Sequence, residues 1–247
     1  MNFLGHSYAA FKVEGRINPY LVAGSWLPDL VPFVPSPVFT FAEIHESPDK
    51  FLRFLDKKYP YARDLAIGMM THSVKYGADR FNREIEGWLI EDQREKIELA
   101  KKIVDCSGVS LEVASKARLH NYLWSGIDLY LLNSKPEFVH GLAEFYPKIN
   151  HEELVRLLAE CFAKEGKEVR GMINCLLAPI RPEFFTSLSG LVKIWKVALA
   201  GLPEKDEIDE EKTVRLFREI YQLFSNKWGS ILEKVIIDVE RRMRFLI

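Results

Sequence analysis

Apolar side chains recur every three or four positions along most of the chain, which is the period of helices with one buried face. The spacing predicts a short helix over residues 2–12 that stops near Gly15 and a second over 19–27 that ends at Pro28. LPDLVPFVPSPVF follows, with Pro28, Pro32, Pro35 and Pro37 so close together that a packed extended or turning segment is expected rather than a regular helix. Ser47 and Pro48 make a helix start running to about Lys58. Pro60 introduces a longer helix containing LAIGMMTHSVKYGADRFNREIEGWL.

Further helices are expected over 91–105, over LEVASKARLHNYLWSGIDLYLL behind a Ser107 or Ser110 cap and divided at Gly126, from Pro136, and from His151. Pro179 and Pro182 interrupt the region after Cys175. Residues 203–212 read as an acidic linker. Residues 213–247 read as one long amphipathic helix, with a stripe through Phe217, Ile220, Phe224, Trp228, Ile231 and Val235. Strand alternation and hairpin dipeptides are scarce. The fold class is all-α, a single multi-helix globular domain spanning 1–247, with the candidate chemistry in residues 1–130.

Composition narrows the function. At 48% apolar, 28% charged and a net charge of −1, the chain is globular and has no basic excess for nucleic-acid backbones. MNFLGHSYAA lacks the features of a secretory leader, and no apolar run is long enough to span a bilayer. Cys106, Cys161 and Cys175 show no metal-ligand spacing and read as small buried hydrophobes. A reducing, cytoplasmic setting fits, and abundant Glu, Lys and Arg with scarce Gln point to a thermophilic source. Residues 184–202 and the C-terminal stripe offer apolar faces for a homodimer; a peripheral membrane role lacks the basic face it would need.

Six histidines hold the candidate chemistry. His140 and His151 read as exposed. His6 lies among Phe3, Leu4 and Ala9 on an apolar helical face, and Asp29 stands alone among Trp26, Leu27, Leu30, Val31 and Phe33. A carboxylate there needs a partner, and either backbone capping or metal ligation would supply one. His72 and Asp79 share a helical face but lie about 10 Å apart along an unbroken axis, too far to chelate one ion. Three resolutions stay open: two ions, a kink at Gly77, or an ion pair of Asp79 with an arginine such as Arg80 or Arg118. His120 and Asp128 repeat the pattern around Gly126.

NFLGH, GSWLPD, the loop histidine His45, GMMTH and the later helical His120 resemble the zinc-dependent phospholipase C and S1/P1 nuclease family. The opening MNFLGHSYAA is also similar to acyl-carrier-protein phosphodiesterase of the HD-type metal phosphohydrolases. The resemblance covers about 130 residues. It implies an all-α fold and phosphoester hydrolysis at a metal cluster, with His6, Asp29, His45, His72 and His120 in ligand order. Tyr76 departs from the aspartate that both families place four residues after the helical histidine, so Asp79 is the substitute ligand.

The expected activity is a phosphodiesterase or phospholipase C-like hydrolase. Zn is the first choice of metal, followed by Mn or Fe, and the substrate is a small phosphoester or a phospholipid-like molecule. Asp29 is the candidate to bridge the ions or take a proton from the attacking water. Lys75 and Arg80 are candidate phosphate contacts, against the plainer reading of a solvated face. The alternative from a different class is a non-catalytic helical scaffold that kept the fold.

Overall fold

The computed structural model describes residues 2–46, 48–202 and 207–246; the expected Ser47 cap and residues 203–206 of the acidic segment lie outside them. The described residues hold helices and turns and no strand. In chain order the helices are α1 (Phe3–Glu14), α2 (Pro19–Trp26), α3 (Leu30–Phe33), α4 (Asp49–Lys58), α5 (Arg63–His72), α6 (Glu84–Leu89), α7 (Gln93–Ser107) and α8 (Leu111–Val113). After them come α9 (Leu119–Ser134), α10 (Pro136–Phe145), α11 (His151–Phe162), α12 (Gly166–Leu176), α13 (Leu188–Leu199), α14 (Glu210–Leu223) and α15 (Trp228–Met243). The all-α expectation holds.

Local chemistry sets several ends as read from the sequence. Gly15 closes α1 in the left-handed conformation, φ 69°. Asn18 caps α2 by accepting from the Leu21 N–H, with Pro19 in the first turn, and Ser110 accepts from the Val113 N–H.

The proline-rich segment takes the turning alternative at its start: Leu27–Asp29 forms a 3-10 turn and α3 follows as a single helical turn. Short turns tolerate proline because few of their N–H groups have intrahelical acceptors. Three other expectations are corrected. The helix entered at Pro60 stops at His72 rather than running on through Trp88. Gly126 does not divide α9; it makes room for Trp228, whose Cζ2 would lie 2.2 Å from an added Cβ. The C-terminal segment is two helices, α14 and α15, hinged at residues 224–227, so that Phe224 packs edge-on against Trp228 at 5.9 Å. Of the three cysteines, Cys106 and Cys161 are buried as expected, and Cys175 is exposed.

The centre of the molecule is the pair α2 and α5, flanked by α1. Their backbones touch. A Cβ at Gly24 would lie 2.0 Å from the Leu65 carbonyl oxygen, and one at Gly68 would lie 2.5 Å from that of Leu21. Only glycine permits this approach. Ser7 of α1 bonds Ser25 of α2 at 2.9 Å, and the Trp26 indole donates to Ser7 Oγ at 2.8 Å, tying α1 to the same pair. The fully buried Trp26, Trp124 and Trp228 contribute on the order of 2–3 kcal/mol each by removal from water.

The start of α1 is capped from far along the chain. Asn2 makes no side-chain cap, but Asp128 Oδ1 on α9 accepts from the Gly5 N–H at 3.0 Å. This fixes the turn carrying His6 against α9. Burial raises the Asp128 carboxyl to about 7, against the lowering effect of the Gly5 and Leu4 N–H groups.

Two predictions follow from these contacts. Gly68→Ala drives a methyl into backbone and should lower stability by roughly 3 kcal/mol or more, whereas Gly171→Ala, on open α12 surface, should raise it by roughly 0.5–1 kcal/mol; urea unfolding compares them. Asp128 has a native pKa near 7 and an ordinary carboxylate value when unfolded, so native protein binds the extra proton between them and stability falls as pH rises from about 4 to 7. Asp128→Asn, whose oxygen still accepts from Gly5, should flatten that part of the melting-temperature profile.

Candidate metal centre

His72 is the last residue of α5, and the chain leaves the helix at once: Ser73 adopts φ −52°, ψ 161°. Residues 73–77 then turn back. The Gly77 N–H donates to the Ser73 carbonyl at 2.9 Å, and a Cβ on Gly77 would lie 2.2 Å from the Thr71 carbonyl oxygen. A 3-10 turn, Ala78–Phe81, follows and carries Asp79. The separation expected along an unbroken helix therefore vanishes, and Asp79 Oδ2 lies 3.3 Å from His72 Nε2. Of the three resolutions left open by the sequence, a break before Gly77 is the one adopted, and Arg80 pairs instead with Asp238 at 3.0 Å.

The other members arrive from three more elements. His6 comes from the first turns of α1, with Nε2 3.2 Å from Asp79 Oδ1. His45 lies on a π-helical turn, Ala42–Glu46, with Nε2 2.8 Å from Asp79 Oδ2. That turn is held to the segment after α5 by bonds from the Val74 and Lys75 N–H groups to the His45 and Glu46 carbonyls, each 3.1 Å. Asp29 follows α2, and its Oδ1 lies 3.6 Å from His72 Nε2. It occupies the cap position of α3 but makes no side-chain cap bond, which removes the capping account of this carboxylate.

All five side chains are buried. His6, His72 and Asp79 offer ligand atoms within 4.8 Å of one another, as do Asp29, His45 and His72. The His72 Nδ1 is engaged by the Ser25 carbonyl at 2.7 Å, so that nitrogen carries the proton and Nε2 presents a lone pair. The two triplets have His72 in common. The His6 and His72 rings stack with centroids 3.6 Å apart and 8° between planes.

The donor set fits a divalent transition metal. Both nitrogens of His6, Nδ1 of His45 and Nε2 of His72 are buried with no hydrogen-bond partner, a costly state unless something else meets them. Mixed imidazole and carboxylate donors suit Zn, Mn or Fe. Burial and the neighbouring His72 hold the His6 ring well below the ordinary imidazole value, so it is neutral and able to ligate. Burial works against charge on His72 too, but Asp79 and Asp29 outweigh it and raise its value. Burial would raise the Asp79 carboxyl, but it stays well below the usual range, with His72, His6 and His45 among the groups that lower it. Asp29 is raised by burial, with Asp79 adding to it.

A cavity of about 390 Å³ opens onto the centre, with Asp29, His45 and Asp79 among the residues that line it. His120 lines it as well but is outside both triplets. Burial and Arg83 push its ring down to about 3. Lys75 and Arg80 do not line the cavity; Lys75 reaches Asp49 at 3.4 Å. Tyr76 also bonds Asp49, which takes it out of the centre. The cations on the cavity wall are Arg83 and Arg118, which the sequence reading did not select as contacts. Their signal was spacing: Arg83 stands four residues after Asp79, and Arg118 two before His120.

Part of the lining comes from the second half of the chain. Trp195, Ala198 and Leu199 of α13 line the cavity together with Phe33 and Phe41. The apolar 184–202 segment, expected as a face for a second subunit, thus buries Leu191, Val192, Ile194 and Trp195 inside the molecule. No helix among the described residues is long and apolar enough to cross a membrane. No family model, curated protein or solved structure matches the chain.

In metal-stripped protein, ring resonances followed by NMR should show His72 protonating above the usual imidazole value near 6.5 while His120 stays neutral to about pH 3. Titration of both rings together near 6.5 would contradict the burial and charge pattern described.

Proposed function

We propose that the protein is a metal-dependent phosphoester hydrolase, with His6, Asp29, His45, His72 and Asp79 holding the metal. The observation that carries this reading is the set of buried ring nitrogens without partners around two carboxylates, beside a cavity with cationic groups in its lining. The resemblance of NFLGH, GSWLPD and GMMTH to the phospholipase C and S1/P1 nuclease type supports the same chemistry.

A bound divalent ion would lower the pKa of a water and neutralise charge on the phosphate. The residues of this chain divide the remaining work. Ser25, through its carbonyl, fixes the His72 ring so that Nε2 faces inward. Asp29, the member raised by burial and lacking a cap bond, is the base suited to accept the water's proton at Oδ1 or Oδ2. His120, neutral and on the cavity wall, is placed to contact substrate rather than to complete the triplets. The apolar wall limits competing water. Zn is the metal best suited to these donors, with Mn and Fe next.

Purified protein should contain Zn, Mn or Fe at one or more equivalents by elemental analysis and should hydrolyse activated aryl phosphoesters. His72→Ala should lose metal and activity together. Asp29→Asn should keep most of the metal yet lower kcat by about 10²-fold or more, the scale of a lost general base. Metal-free protein after growth with all three metals supplied, inactive on these substrates, would favour the scaffold reading.

A further inference from the structure

We propose that the centre takes two divalent ions rather than one, with Asp79 shared between them: Asp29, His45 and His72 hold the first ion together with one Asp79 oxygen, and His6 holds the second with the other oxygen. The inference rests on the metal-binding reading of this cluster and adds the number of ions and the ligands of each.

His72 decides the division. Its Nδ1 is engaged by the Ser25 carbonyl at 2.7 Å, so Nε2 alone has a lone pair to give. Both triplets include His72, yet one lone pair serves one ion. The rings then show which ion that is. His6 and His72 lie face to face, with centroids 3.6 Å apart and 8° between planes. An imidazole lone pair lies in the plane of its ring, so the lone pairs of two stacked rings do not converge. One ion bound to both would stand out of the planes by roughly half the 3.6 Å separation, nearly the length of a metal–nitrogen bond of about 2.0–2.1 Å. His45 and His72 are arranged differently, with centroids 5.1 Å apart and planes at 80°. Planes that cross share a line, and a single ion on that line meets both lone pairs. His72 therefore joins Asp29 and His45, and His6 is left for another ion.

The Asp79 carboxylate divides along the same boundary. Oδ2 lies 2.8 Å from His45 Nε2 and 3.3 Å from His72 Nε2, whereas Oδ1 lies 3.2 Å from His6 Nε2. Donor atoms at right angles on one ion, each about 2.1 Å from it, are about 3 Å apart, the size of these contacts. The bridging role expected for Asp29 thus passes to Asp79, whose two oxygens face different rings. Neither nitrogen of His6 has a hydrogen-bond partner, so the ring has no structural bond to keep it from a second ion. The first ion has four protein donors and the second has two, which makes the second the weaker. Paired ions roughly 3.5–4 Å apart recur where phosphate is clamped, and Asp79 borders the cavity that a substrate would enter.

The test counts ions in the full chain, without reference to activity. Protein stripped by chelator is titrated with Mn²⁺ by calorimetry, and the loaded samples are read by electron paramagnetic resonance. Wild type should bind two equivalents in two steps, and the spectrum at saturation should be that of a spin-coupled pair. His6→Ala should lose the weaker step, keep one equivalent and show the hyperfine pattern of an isolated ion. His45→Ala should lose the tighter step. Circular dichroism checks that each variant is folded; if His6→Ala is not, the wild-type stoichiometry and spectrum decide. One equivalent at saturation in wild type, or two equivalents with an isolated-ion spectrum, overturns the two-ion centre. So does folded His6→Ala that holds two equivalents or none. Wild type that binds no Mn²⁺, Zn²⁺ or Fe²⁺ overturns the metal reading with it. A coupled pair in a protein inactive on aryl phosphoesters keeps the two-ion centre and overturns the phosphoesterase reading instead.

Discussion

Two helices in backbone contact set the rest of the molecule. Where α2 and α5 meet, Gly24 faces the Leu65 carbonyl and Gly68 faces that of Leu21, leaving no room for a side chain. The contact fixes the relative height of the two helices, and that height decides the site. It places the Ser25 carbonyl against His72 Nδ1 and brings Asp29, three residues beyond the end of α2, to the other nitrogen of the same ring. A slip of one turn, about 5.4 Å, would separate all of these groups. The glycines thus act on the metal centre through geometry, without touching it.

Around that pair three of the five candidate ligands, Asp29, His45 and Asp79, sit on short irregular turns, while His6 and His72 come from α1 and the last residue of α5. Asp79 sits on a 3-10 turn and His45 on a π-helical turn, and backbone bonds from Val74 and Lys75 join the chain near one to the other. Side chains on such turns aim in directions a regular helix does not allow, which is how five buried polar groups converge. The arrangement is costly without a cation, since His6 and His72 stack with buried ring nitrogens that lack hydrogen-bond partners. A cation bound there would couple its binding to folding.

The sequence pointed to His6, Asp29, His45, His72 and Asp79, which lie together, and also to His120, Lys75 and Arg80, which do not join them. His6, His45 and His72 stood out because each is an imidazole among apolar neighbours, and Asp29 because it is an acid with no acid near it. Periodicity also gave the helical class and the ends of α1 and α2. It failed where a helix stops without proline: nothing local in THSVKYGAD marks the exit at Ser73, which is set by tertiary contact of Val74 and Lys75 with the His45 turn. The split between α14 and α15 was hidden for the same reason, since the apolar stripe continues across the hinge. The place of Arg83, Arg118 and α13 on the cavity lining was not legible, because a cationic or apolar residue on a helix has no signature until a cavity forms beside it.

The abrupt end of α5 also shapes the local potential. α5 finishes at His72 itself, so its carbonyl end lies beside the cluster. A helix terminus of this kind is equivalent to roughly half an electron of negative charge. That partial charge favours a positive ion there before any carboxylate is counted, and disfavours an anion.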